Sequence, residues 1–352
     1  MKKTILISGN EAIGLAAIDA GCKFYAGYPI TPQNELTAYM SDEFVRRGGI
    51  FIQSESEIAA INMIFGASAA GVRAMTSSSS PGISLKQEGI SYISGAQLPA
   101  VIINVMRAGP GLGNIWPAQS DYFQATKGGG HGDYRMIVLA PASVQESYEL
   151  TRLAFELSDR YRIAAMILSD GLLGQMMEGW EIDDEIKPPR PIDKPWALTG
   201  ARNRKPNIVQ SLYMKRDEVE KHNLMLQKRY RRIQANEARC ESKYIDGAKL
   251  VVVAYGSMSR IAESVVDRLR KEGKKIGFFR PVSLWPFPSK ELEKISKKVR
   301  KFLCVEMSYG QMVEDIRLSV LPGRKVYFYG RSGGGIPTEK QVEREIIKDM
   351  QL

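Results

Sequence analysis

Cysteine is scarce: the 352 residues hold only Cys22, Cys240 and Cys304, and no two of them form a Cys-x-x-Cys pair. That spacing excludes an iron–sulfur cluster of the usual ligation and a disulfide framework. A chain that keeps its thiols apart is expected in the cytosol. Histidine is scarcer still, with His131 and His222 alone, so no His-based zinc site and no resident metal are expected. No apolar run approaches the roughly 18 residues of a membrane-spanning helix, and no membrane association is expected. The start, Met1 to Gly9, has a basic pair and an apolar run too short for a signal segment, and it reads as a first strand. Acidic side chains are in deficit, 39 against 49 basic ones, for a net charge of +10. Much of the excess sits in Lys215–Arg239 and Lys271–Lys301, where glutamates are interspersed and no aromatic-interleaved basic motif is found. These stretches read as solvated helix faces rather than a nucleic-acid surface, although a basic face can still help recruit an acidic partner.

What is present is an ordinary globular composition, 44% hydrophobic and 25% charged, in a chain long enough for two cores. Residues 1–180 alternate apolar runs with helical periods. Strands are predicted at Thr4–Ser8, Lys23–Ala26, Ile50–Gln53, Arg73–Thr76, Ala100–Met106, Met136–Ala140 and Ala164–Ser169. Helices are predicted at Asn10–Ala20, Glu57–Ala70 and Val144–Asp159. Such alternation indicates an α/β domain with a mostly parallel sheet covered on both faces. Residues 181–245 form a proline- and charge-rich connector, including Pro188-Pro189-Arg190-Pro191, followed by a polar helix over Met214–Ala238. Residues 246–352 restart the alternation as a second, smaller α/β unit, with strands at Leu250–Tyr255, Lys275–Phe279, Phe302–Glu306 and Val326–Tyr329.

Chemistry-bearing residues follow the strands. In Gly27-Tyr28-Pro29-Ile30-Thr31-Pro32, two prolines stiffen a turn at a strand's carboxyl end, and Thr31 offers a hydroxyl. The turn is either structural or a ligand contact. Glu55 and Glu57 precede an apolar helix, where a carboxylate serves the helix dipole or faces a ligand nitrogen; Glu57 leads directly into the helix and is the better candidate. Arg107 ends the apolar run Ala100–Met106, expected to be a central strand, and a guanidinium there suits a carboxylate. The glycine-rich stretch Ala108–Asn114 follows and lacks the last glycine of a dinucleotide fingerprint. Thr76–Ser80 with Pro81-Gly82 is a hydroxyl-rich helix start, suited to capping or to an anion. The glycine loop Lys127–Tyr134 carries His131, a candidate proton carrier.

Together these stretches resemble the α subunit of the 2-oxoacid:ferredoxin oxidoreductases. Tyr28–Pro32 matches that family's most characteristic motif, Gln53–Gly66 the region of its thiamine-binding glutamate, and Leu98–Arg107 the strand of its carboxylate-binding arginine. Thr76–Gly89, Lys127–Arg135 and Arg280–Pro288 look most like the branched-chain (2-oxoisovalerate) type, with the 2-oxoglutarate type next and the pyruvate or indolepyruvate types behind. The resemblance implies a pyrimidine-type thiamine diphosphate domain plus a transketolase C-terminal-like domain. It implies coenzyme A-dependent oxidative decarboxylation of a 2-oxoacid to acyl-CoA, carbon dioxide and reduced ferredoxin. Glu57 would hold the aminopyrimidine, with Tyr28, Pro29 and Ile30 beside the cofactor, and Thr31 and Arg107 would hold the substrate. No Gly-Asp-Gly…Asn stretch for magnesium diphosphate is found. A β subunit is therefore implied to carry that site, Mg2+ and the nearest iron–sulfur cluster, with ferredoxin-like and γ subunits completing the complex. Rival readings are a thiamine-dependent decarboxylase or transketolase-like subunit, a nicotinamide dehydrogenase, and a non-catalytic or nucleic-acid-binding protein.

Overall fold

A computed structural model describes residues 4–181 and 192–351. The Met1-Lys2-Lys3 start and the Pro188–Pro191 tract lie outside the described residues. In the first unit β1 (Thr4–Ser8) leads into α1 (Gly9–Asp19) and β2 (Phe24–Gly27) into α2 (Asn34–Tyr39), which a wider turn continues over Met40–Phe44. β3 (Ile50–Gln53) leads into α3 (Glu57–Ala69), and β4 (Ala74–Ser78) into α4 (Ser80–Gly95). β5 (Ala100–Met106) runs through a long loop to α5 (Tyr122–Thr126). β6 (Ile137–Leu139), α6 (Val144–Tyr161), β7 (Ala164–Asp170), α7 (Gly171–Gln175) and β8 (Met177–Glu181) follow. After α8 (Arg216–Asn236) come β9 (Cys240–Lys243), β10 (Leu250–Val253), α9 (Gly256–Lys271), β11 (Ile276–Pro281) and β12 (Ser283–Trp285). The chain closes with α10 (Ser289–Lys298), β13 (Lys301–Glu306), α11 (Met312–Ser319), β14 (Lys325–Gly330) and α12 (Glu339–Gln351).

Local sequence explains the element ends. Ser8 and Glu11 make a reciprocal capping box at α1, Ser56 caps α3 by accepting from the Ala59 amide, and Ser143 caps α6 through the Glu146 amide. β5 is buried along its whole length, as a strand covered on both faces must be.

The large sheet has the order β12-β6-β7-β5-β4-β2-β3, with β5 at its centre. All its pairs are parallel except β12 with β6. β1, read as the first strand of the alternation, is not in this sheet: it pairs antiparallel with β8, a strand the sequence pattern did not reveal. The smaller sheet, β14-β13-β10-β11-β9, is parallel except for the edge strand β9. Thus Cys240–Lys243, expected within the connector, is a strand of the second sheet, and Ser283–Trp285 adds to the first.

The two units are tied by buried polar contacts. Arg280 of β11 reaches both carboxylate oxygens of Glu146 on α6, at 2.6 and 2.7 Å. Gln119 exchanges hydrogen bonds with Met307 and donates to the Tyr255 carbonyl.

Candidate functional site

Four neighbouring strands, β5-β4-β2-β3, run parallel, so their carboxyl ends open on one edge of the sheet. At about 4.8 Å per strand, β5 and β3 stand about 14 Å apart. The chain steps from β2 to β3 on one side and places β4 on the other. The switch in strand order between β2 and β4 is where open α/β sheets form a ligand crevice. Around it lie Gly27–Pro32 after β2, Glu57 after β3, Ser78–Gly82 after β4 and Arg107 after β5.

Glu57 is the first residue of α3 and is 6% exposed, whereas Glu55 is exposed. The structure therefore separates the two glutamates by burial. The Glu57 carboxylate accepts no hydrogen bond from the described residues. It packs against Gly82, where an added Cβ would stand 2.5 Å from Glu57 Oε1 and 2.1 Å from Ser78 Oγ. The buried hydroxyls of Thr76, Ser78 and Ser79 also lack partners. Buried polar groups are ordinarily satisfied, so this cluster has hydrogen-bonding capacity to spare among the described residues.

Thr31 is half-buried, and its Oγ1 accepts from Asn34 Nδ2 at 3.0 Å. Tyr28 and Pro29 are exposed and Ile30 half-buried. Beneath the turn a buried network fixes its position: Ser77 Oγ and Thr37 Oγ1 both donate to Gln33 Oε1, and the Tyr25 hydroxyl meets Ser77 at 2.5 Å.

Arg107 is 7% exposed. Its Nη1 donates to the Thr31 carbonyl at 3.0 Å and its Nη2 to the Leu112 carbonyl at 3.1 Å, while Nε is buried without a partner. The guanidinium thus joins the turn after β2 to the glycine-rich loop after β5. Ser80 Oγ accepts from the Arg107 amide and donates to Asp121, which also receives Asn104 Nδ2. Burial pushes the Asp121 carboxyl up, and these two hydrogen bonds pull it back down.

His131 stands apart. It is exposed, its ring lies edge-on to Tyr92, and its carbonyl accepts from Ser91 Oγ at 2.8 Å. Ser91 is nine residues beyond Gly82 on α4, about 13 Å along the axis. A cleft of about 730 Å³ lies at the opposite edge of the sheet, beside Lys23 and Arg73. Within it Asp159 pairs with Arg73 at 2.6 Å and with Lys194 at 2.7 Å.

Sequence reasoning did not single out Lys86, which is completely buried on α4 with its ammonium 3.4 Å from the Glu57 carbonyl. Burial pulls its ionisation from 10.5 down to about 8, and the Glu57 carboxylate opposes that shift. The available signal was a lysine spaced four residues after Gly82 and three before Gly89, on one helix face. The Asn104–Asp121–Ser80 cluster was missed as well, since nothing local links those positions.

Comparison with known proteins places these observations in a family. Residues 15–243 match the model described as pyruvate flavodoxin/ferredoxin oxidoreductase, thiamine diP-bdg, and residues 248–342 match pyruvate:ferredoxin oxidoreductase core domain II. The chain is 50% identical to the ketoisovalerate oxidoreductase subunit VorB of Methanothermobacter thermautotrophicus, over 97% of each chain. It is 33% identical to the 2-oxoglutarate synthase subunit KorA of Methanocaldococcus jannaschii, over 98% of this chain and 100% of that one. Among solved structures it is similar to the 2-oxoglutarate:ferredoxin oxidoreductase from Magnetococcus marinus with 2-oxoglutarate, coenzyme A and succinyl-CoA bound. There the TM-score is 0.89 and the identity 28%, and the match covers 99% of this chain but 66% of that one. A split gene transketolase shares the fold, with a TM-score of 0.61 at 15% identity.

Proposed function

The chain belongs to the 2-oxoacid:ferredoxin oxidoreductases as a thiamine diphosphate-binding subunit, and on that premise we propose that it supplies the aminopyrimidine and substrate-carboxylate half of a shared active site. The observation that carries this reading is the edge where Glu57, a buried carboxylate with no hydrogen bond among the described residues, stands one and three strands from the loops that Arg107 joins. The residues fit the cofactor's pyrimidine end: the Glu57 carboxylate accepts no hydrogen bond among the described residues, Ser78 and Ser79 have spare hydroxyls, and Gly82 lets Glu57 and Ser78 lie close against the start of α4. When bound, thiamine diphosphate supplies the carbon nucleophile for the keto carbon and takes up the electrons left by decarboxylation.

This chain's residues do the holding. Glu57 hydrogen-bonds the ring nitrogen of the aminopyrimidine, with Tyr28, Pro29 and Ile30 flanking it. Arg107, through its uncommitted N–H groups, and Thr31 bind the carboxylate and keto oxygen. The diphosphate, Mg2+ and the iron–sulfur clusters are assigned to partner subunits, since this sequence has neither a Gly-Asp-Gly…Asn stretch for magnesium diphosphate nor a Cys-x-x-Cys pair to ligate a cluster. Exposed apolar side chains at the same edge, Leu112 and Trp116 of the glycine-rich loop, suit coverage by such a partner. We place the complex in the cytoplasm, with electrons passing to a ferredoxin. No helix among the described residues is long and apolar enough to cross a membrane.

The substrate proposed is a branched-chain 2-oxoacid, on the higher identity to the ketoisovalerate subunit; 2-oxoglutarate is the second reading, favoured by the KorA relatives. The test is viologen reduction by the complex reconstituted with its β subunit, coenzyme A and a panel of 2-oxoacids. Highest kcat/KM for 2-oxoisovalerate is expected. Preference for 2-oxoglutarate selects the second reading, and turnover by this chain alone overturns the half-site.

A further inference from the structure

Gly82, Lys86 and Gly89 fall at i, i+4 and i+7 of α4 and share one face. That face meets α3: a Cβ on Gly82 would stand 2.5 Å from Glu57 Oε1, and one on Gly89 2.4 Å from Ile61 Cγ2. The two glycines let the helices approach closely, and whatever lies between them is enclosed. An apolar side chain would fill such a seam. The residue there is a fully buried lysine. Its ammonium makes one long hydrogen bond, to the Glu57 carbonyl at 3.4 Å, and no ion pair among the described residues. An ammonium offers three donors, and leaving it so poorly satisfied in the interior costs stability. Local rules broken in this way concentrate at functional sites.

We propose that Lys86 is a positioning residue for Glu57: it pins the first turn of α3 through the Glu57 carbonyl and sets a buried counter-charge behind the carboxylate. Because the ammonium binds the main chain and not the side chain, both carboxylate oxygens stay free for a ligand. The proposal rests on Glu57 being the group that holds the aminopyrimidine.

The test uses the reconstituted complex with Lys86→Met, similar in length and uncharged, and Lys86→Gln, which keeps a donor for the carbonyl. Cofactor affinity, thermal melting and turnover are measured for each, beside Glu57→Gln. Lys86→Met is expected to assemble and melt no lower than the parent. It should bind thiamine diphosphate about tenfold more weakly and turn over about tenfold more slowly, with little change in the 2-oxoacid KM. Lys86→Gln should recover part of both losses, and it carries the test if Lys86→Met does not fold. A melting temperature lowered by several degrees with normal turnover per folded enzyme makes Lys86 a structural residue and overturns the proposal. Normal cofactor affinity and turnover overturn it too. If Glu57→Gln keeps its turnover, the reading of Glu57 fails. If Glu57→Gln is inactive while Lys86→Met is normal, only the role of Lys86 fails.

Discussion

Replacing Arg107 by alanine tests the substrate half of the site most directly. The guanidinium has five N–H donors, of which two reach the Thr31 and Leu112 carbonyls and one, on Nε, is buried without a partner. The donors left over are the ones available to a carboxylate. Removing a charge-assisted contact from a site this enclosed should cost about 2–4 kcal/mol of transition-state binding. That corresponds to a loss of roughly 30- to 1,000-fold in kcat/KM. The effect on folding should be smaller, because Leu112 is exposed and its freed carbonyl can be taken up by water. What loosens is the tie between the turn after β2 and the glycine-rich loop. Arg107→Lys keeps the charge but not the fork, so it should restore only part of the loss. Thr31→Val, which removes a neutral hydroxyl, should cost about 1 kcal/mol. The assay is viologen reduction by the reconstituted complex over a range of 2-oxoacid concentrations, with urea unfolding of each variant alongside. Unchanged kcat/KM in Arg107→Ala, or a loss no greater than the change in folded fraction, would show that the arginine serves only to join the two loops.

Glu57→Gln should abolish turnover while the complex still assembles by size-exclusion chromatography; a near-normal rate would shift the role to Glu55. Gly82→Ala forces a methyl group against Ser78 and Glu57, and overpacking of this kind costs about 1–3 kcal/mol. It should weaken cofactor binding in a titration, and unchanged affinity would mean that the Glu57 carboxylate is not where the ligand sits. Lys86 loses its proton near pH 8 in the folded chain and near 10.5 when unfolded, so the unfolded state binds more protons between those values. The burial penalty is thus fully present below pH 8 and is relieved as pH rises toward 10.5, by about 3 kcal/mol at most. Urea midpoints of the parent should climb over that window relative to Lys86→Met, and parallel profiles would contradict the burial of a charged lysine. The isolated chain should be inactive and bind thiamine diphosphate weakly by calorimetry; tight binding would place the diphosphate site on this chain.

The strands and helices near the candidate site were legible in the sequence because the signals that make them are local. A run such as Ala100–Met106, apolar but for Asn104 and rich in β-branched residues, reads as a strand covered on both faces. A capping serine before an apolar period, as at Ser56 and Ser143, marks a helix start. Thr31, Glu57 and Arg107 could be named for the same reason, since each follows a strand in sequence. Sequence also limited what the chain can ligate, through the absence of paired cysteines. Neighbour relations were not legible. That β2 lies between β3 and β4, that β1 leaves the sheet for β8, and that β12 crosses from the second unit are outcomes of long-range pairing, which no window of sequence contains. Burial followed the same division. Glu55 and Glu57 have similar surroundings in sequence, and only the packing of α3 on α4 exposes one and encloses the other. Lys86 reads as a surface lysine until two glycines bring those helices together around it. The Arg107 guanidinium is held by carbonyls 76 and 5 residues away in the chain, and only the tertiary fold joins them.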